Sequence, residues 1–122
     1  MAEKPDFQTT FEQLKGILQE FEPRLDVQTD GPGHYYLNAA YSEKFKRVMF
    51  FGAVEIKKNY VSYYLMPVYI FPELLEGISE SLKKRMHGKS CFNFKTIDGQ
   101  ALAELSQLTR RGFEKFDQER LV

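Results

Sequence analysis

The run His87-Gly88-Lys89-Ser90-Cys91 places an imidazole, an amine, a hydroxyl and a thiol within five residues. Cys91 is a candidate nucleophile, with His87 or Lys89 as the activating neighbour, because adjacent positive charge lowers a thiol's pKa. The run also follows a segment with helical periodicity, and the negative end of a helix raises that pKa. A lone Cys on a short strand more often serves as a small buried apolar residue. Gly88-Lys89-Ser90 has the order of a phosphate-binding loop's end. Lys83 stands where that loop needs a glycine, and a strand follows where it needs a helix. His34, His87 and Cys91 together could ligate a soft metal, yet no short ligand spacing links them. No Ser/His/Asp grouping stands out. The sequence carries no identifiable catalytic engine, which favours a binding domain over an enzyme.

A second candidate is basic and aromatic. Lys44, Lys46, Arg47, Lys57 and Lys58 interleave with Phe45, Tyr60, Tyr63 and Tyr64, and residues 43–60 hold five bases against two acids. Exposed aromatics beside cations can stack bases of single-stranded nucleic acid. Lys57 and Lys58, however, suit a hairpin tip, where charge guards against edge pairing. Seventeen Lys+Arg also balance seventeen Asp+Glu, so the chain has no net charge to drive counterion release. Nucleic acid is the weaker expectation; a protein partner, a small ligand or a second copy is the stronger one.

The elements that position these groups follow from periodicity. Phe7, Phe11, Leu14, Ile17, Leu18 and Phe21 share one helical face, and a Thr9/Glu12 or Thr10/Gln13 capping box is predicted to start that helix. Pro23 ends it. Asp30-Gly31-Pro32-Gly33 reads as a turn whose glycines permit positive φ. Strands are predicted over 35–41, 48–56 and 60–66, the last two joined through Lys57-Lys58-Asn59. Both parities of 48–56 and 60–66 are apolar or aromatic, so the second face of the sheet is expected to be covered at least in part. Leu74, Leu75, Ile78, Leu82 and Met86 fall on one sector, which predicts a single helix from Pro72 through Gly77 to a Gly88 cap. Residues 90–95 read as a short strand. Asp98 caps a last helix carrying Leu105, Leu108, Phe113 and Phe116. The order α-β-β-β-α-β-α predicts an α+β, two-layer antiparallel sheet with flanking helices.

Composition bounds the class. One hundred and twenty-two residues, 43% of them hydrophobic, suit one domain over 1–122 with its own core. A single cysteine precludes an internal disulfide. No apolar stretch approaches the ~20 residues of a membrane span. The opening Met-Ala-Glu-Lys-Pro-Asp lacks a leader's apolar core. A cytoplasmic setting away from membranes is the expectation.

Phe50-Phe51-Gly52-Ala53-Val54, Tyr60-Val61-Ser62, Leu65-Met66-Pro67-Val68-Tyr69 and Phe71-Pro72-Glu73-Leu74-Leu75 run on to Met86-His87-Gly88-Lys89-Ser90-Cys91-Phe92-Asn93-Phe94. Together these resemble a bacterial family of YdhG-like domains of unknown function, over most of the chain. The resemblance implies a frataxin-like fold, with helices on one face of an antiparallel sheet. It also implies a possible iron-handling role, since frataxins bind iron through acids on the first helix and first strand. Glu12, Glu20 and Glu22 are the acids that would carry it. They are scattered, and a hard cation needs several convergent oxygens.

The leading expectation is a non-enzymatic binding domain that uses one face of its sheet, with a homodimer as one form. Tyr60, Ser62, Tyr64, Met49 and Phe51 would form that face, with Lys57 and Lys58 at its rim. The sequence does not decide which parity faces the helices.

Overall fold

The structure is a computed structural model that describes residues 6–122. Residues 1–5, which make up most of the opening segment on which the leader expectation rests, lie outside the described residues. Helix α1, Phe7–Gln19, is capped by Asp6, whose carboxylate accepts from the Thr9 amide at 3.1 Å and the Thr9 hydroxyl at 2.6 Å. The cap is therefore one turn earlier than the predicted Thr9 or Thr10 boxes. The Thr9 side-chain bond, then the backbone one, holds the Asp6 carboxyl below its ordinary 3.8. Phe11, Leu14, Ile17 and Leu18 are buried along one face of α1, and Pro23 lies in a single 3-10 turn, Glu22–Arg24.

An unpredicted strand follows. β1, Asp26–Gly31, reads Asp-Val-Gln-Thr-Asp-Gly, mostly polar and exposed, so it lacks the alternation by which a strand is recognised. It pairs antiparallel with β2, His34–Ser42, across Pro32-Gly33. β3, Arg47–Ile56, and β4, Val61–Leu65, continue the meander. β5, Cys91–Phe94, closes a five-stranded antiparallel sheet in the order β1-β2-β3-β4-β5. The turn glycines Gly31 and Gly33 do not adopt positive φ; among the described glycines that conformation falls to Gly77 and Gly88.

The predicted helix over 72–86 is broken into pieces. α2, Met66–Ile70, starts with Pro67 in its first turn, and Pro72–Leu75 is a 3-10 turn. Gly77 then takes φ +83°, outside any right-handed helix. Ser79 recaps the chain by accepting from the Leu82 amide at 3.1 Å, opening the single turn α3, Glu80–Lys83. Ile78 and Leu82 still reach the core, so the apolar phase persists where the backbone is not one continuous helix.

α4, Gly99–Gln118, is capped by Asp98 as predicted, and α1, α2 and α3 all lie against it in one layer. That layer covers one side of the sheet. Leu18 of α1 packs over Gly52, where a Cβ would stand 3.0 Å from Leu18 Cδ2. Gly112 lets α4 approach α2, since a Cβ there would stand 2.8 Å from Pro67 Cβ. Phe21, Phe51, Phe113 and Phe116 pack ring against ring between the layers. The fold is α+β with an open antiparallel sheet and flanking helices.

Candidate functional site

Among the described residues no helix lies on the other face of the sheet, and register assigns its occupants. Directly opposed residues share a face, which gives a row His34, Glu55, Ser62, Asn93 and a row Thr29, Tyr36, Ala53, Tyr64, Cys91. Further along, Asn38 opposes Phe50 and Tyr41 opposes Val48.

Of the two register shifts between β2 and β3, the first decides which residues of β3 join them. Between the Leu37/Gly52 and Asn38/Phe50 pairs, β3 contains one extra residue, Phe51. This bulge inverts the parity of β3, because two residues oppose one and the alternation restarts. Phe51 and Met49 are driven into the core at 0% and 1% exposure, while Phe50 and Val48 face outward. Met49 and Phe51 are thus removed from the expected binding face. The same bulge explains the doubly apolar pattern of 48–56: the strand feeds one core from alternate parities on its two sides. The expected cover over the second face is absent among the described elements.

The exposed face has two regions. One is apolar: Phe50 stacks on Tyr36 with ring centroids 4.7 Å apart, and Tyr41 and Val48 beside it are 55% and 52% exposed. The other is polar and closed on itself. The Ser62 hydroxyl donates to Asn93 Oδ1 at 2.7 Å, and the Cys91 thiol donates to the same oxygen at 3.3 Å. Lys57 binds Glu55 at 2.9 Å, and His34 Nε2 is 4.0 Å from the other Glu55 oxygen. The Glu55 bond raises the Lys57 pKa above its ordinary 10.5. Lys58 is exposed in the same hairpin turn, and Tyr60 accepts there through its carbonyl from the Lys57 amide at 2.8 Å.

The chemistry at Cys91 is muted. Partial burial pushes its thiol above the ordinary 9.0, outweighing the neighbouring Ser62, Tyr64 and Lys57. His87 meets Cys91 through the backbone, its amide donating to the Cys91 carbonyl at 2.8 Å. The exposed His87 imidazole has no hydrogen bond to the thiol. A protonated thiol donating to an amide oxygen is poorly suited to nucleophilic attack.

The remaining candidates are dispersed. Glu12 accepts from Gln8, Glu20 from Arg110 at 2.6 Å, and Glu22 from the Tyr35 hydroxyl at 2.5 Å. Among the described residues no three of His, Cys, Asp and Glu form a group able to hold a metal ion. Lys44, Lys46 and Arg47 lie at one end of β3 and Lys57 and Lys58 at the other. Ten residues at ~3.3 Å each put them roughly 30 Å apart. No described helix is long and apolar enough to cross a membrane.

Tyr36, Phe50, Val48 and Tyr41 stand outside the face named from the sequence, although Val48 and Phe50 belong to the complementary parity that the sequence leaves open. The adjacent pair Phe50-Phe51 was the available signal, since two successive rings in a strand point to opposite faces and one of them must leave the core. Comparisons of the chain with protein-family models, with characterised proteins and with solved structures give no match.

Proposed function

We propose that the chain is a non-enzymatic interaction domain that pairs with a second copy of itself through the helix-free face of its sheet. The observation that carries this reading is the apolar strip Tyr36, Phe50, Val48 and Tyr41 on a face with no described cover. An isolated apolar side chain on a surface is ordinary, whereas a contiguous strip beside a polar rim is the composition of an interface. The five strands span roughly 500 Å² at ~3.3 Å rise and ~4.8 Å spacing. Two copies would therefore bury about 1,000 Å² before rim side chains are counted, the lower bound for a specific contact. A two-fold pairing brings like patches together, and a chain of zero net charge meets no long-range repulsion from its copy.

Kinship with YdhG-like domains and a frataxin-like arrangement belong to the same proposal. What supports them is the antiparallel sheet with its helices in one layer. A cytoplasmic setting is supported by the single unpaired cysteine.

Sedimentation velocity from micromolar to millimolar chain concentration tests the pairing. The expected result is a reversible monomer–dimer equilibrium that Val48→Glu weakens at least tenfold while far-UV circular dichroism and melting stay close to the parent. A parent chain that remains monomeric at millimolar concentration overturns it.

A further inference from the structure

On a different side of the molecule, α2 and the following 3-10 turn enclose a groove of about 500 Å³ against the loop that leads into β5. Its volume lies within the ~300–1,000 Å³ of small-molecule sites. Buried Val68 and half-buried Leu75 and Met86 line it together with Pro72, Tyr69 and Lys89. Two backbone devices build it. Met86 forms a β-bridge to Phe92, and Gly88, at φ +87°, reverses the chain beyond that bridge and leaves Lys89 beside the opening. Lys89 Nζ stands 6.0 Å from the Tyr69 ring centroid, and Tyr69 is 52% exposed. Lys89 is the one charged residue of the lining, and among the described residues no carboxylate pairs with it.

We infer that this groove binds a small apolar anion, a ring-bearing or short acyl monocarboxylate or its sulfonate analogue. The apolar lining takes the body, the Tyr69 face offers stacking, and the Lys89 ammonium fixes the acidic end. An unpaired ammonium at the mouth of a low-dielectric groove favours an anion over a neutral body of the same shape, because the charge is only partly screened there. A cation would meet the Lys89 charge with no compensating acid in the lining.

The probes are anilinonaphthalene sulfonate and the neutral phenylnaphthylamine, titrated into the full chain while backbone amide signals are followed. The expected result is saturable binding of the sulfonate with shifts concentrated at residues 68–75 and 86–89. Binding should be about tenfold weaker for the neutral probe and for Lys89→Glu, an exposed substitution that leaves the core untouched. Val48→Glu, on the opposite side of the sheet, should not alter it, so the groove and the self-pairing face stand or fall separately. Shifts confined to the sheet face, or equal affinity in parent and Lys89→Glu, overturn the inference.

Discussion

The hydroxyl of Tyr63 is fully buried and meets Thr109 Oγ1 at 2.6 Å. Thr109 also donates to the Leu105 carbonyl at 2.8 Å, which uses its one proton, so Tyr63 must be the donor in the pair. Thr109→Val keeps the shape and strands that phenol without an acceptor, which should cost about 1–3 kcal/mol in urea unfolding. Adding Tyr63→Phe to it should recover part of the loss, because no buried donor is then left unpaired. Cys91 gives a second prediction at this scale. Its pKa is raised in the folded chain, so the protonated form is favoured and the associated stability is intact below pH 9 and lost as pH rises through the folded pKa. Alkylation by iodoacetamide should accordingly accelerate about tenfold per pH unit from pH 7 to 9 with no plateau. A plateau below about pH 8 would indicate a depressed thiol and bring the Cys91 enzyme reading back.

Two glycines test how the elements begin and end. Gly16 lies within α1 and Gly77 between the 3-10 turn and α3, and an added Cβ would meet nothing within 4 Å at either. Packing is therefore removed from the comparison, leaving the backbone. Gly16→Ala should stabilise by about 0.5–1 kcal/mol, because alanine loses less backbone entropy in a helix. Gly77→Ala should destabilise by about 1–2 kcal/mol, because φ +83° crowds a Cβ against the following carbonyl. Opposite shifts in thermal melting would establish that the chain is broken at Gly77; a gain at both would restore the continuous helix. The sheet's edges show the same economy. β1 carries a register shift after Val27, and β5 is four residues long with Met86 bridged beside it. Irregular or short edges resist strand-to-strand pairing, in keeping with the proposed association through the face.

For the whole molecule, equal numbers of acids and bases imply that the proposed self-pairing would gain little from steering and would depend on apolar burial. The proposed monomer–dimer equilibrium should therefore change little between low and high salt, whereas sulfonate binding at Lys89 should weaken as salt screens the charge. Those opposite responses separate the two surfaces by mechanism as well as by position. The helical layer is tied down by Ser79, whose amide and hydroxyl both donate to the Glu104 carboxylate, and by Arg110 reaching Glu20 of the α1 end. Its position on one side of the sheet leaves the other side without a helix among the described residues.

Periodicity alone determined α1, α4, the strands from β2 onward and the α+β class, because an apolar stripe recurs in the chain at the spacing of the element that buries it. β1 was not legible, since a polar edge strand is defined by what it pairs with. The break at Gly77 was hidden for a related reason: the apolar phase persists through it while the backbone does not. The candidate face was half legible. Ser62 and Tyr64 could be assigned to one shared face by parity along β4, which is regular, and the structure decides that this face is the one without helices. Met49 and Phe51 could not, because a single extra residue in β3 exchanges inside for outside and only the pairing with β2 reveals it. Sequence fixes what each residue can do locally; which face it serves depends on register, a relation between strands distant in the chain.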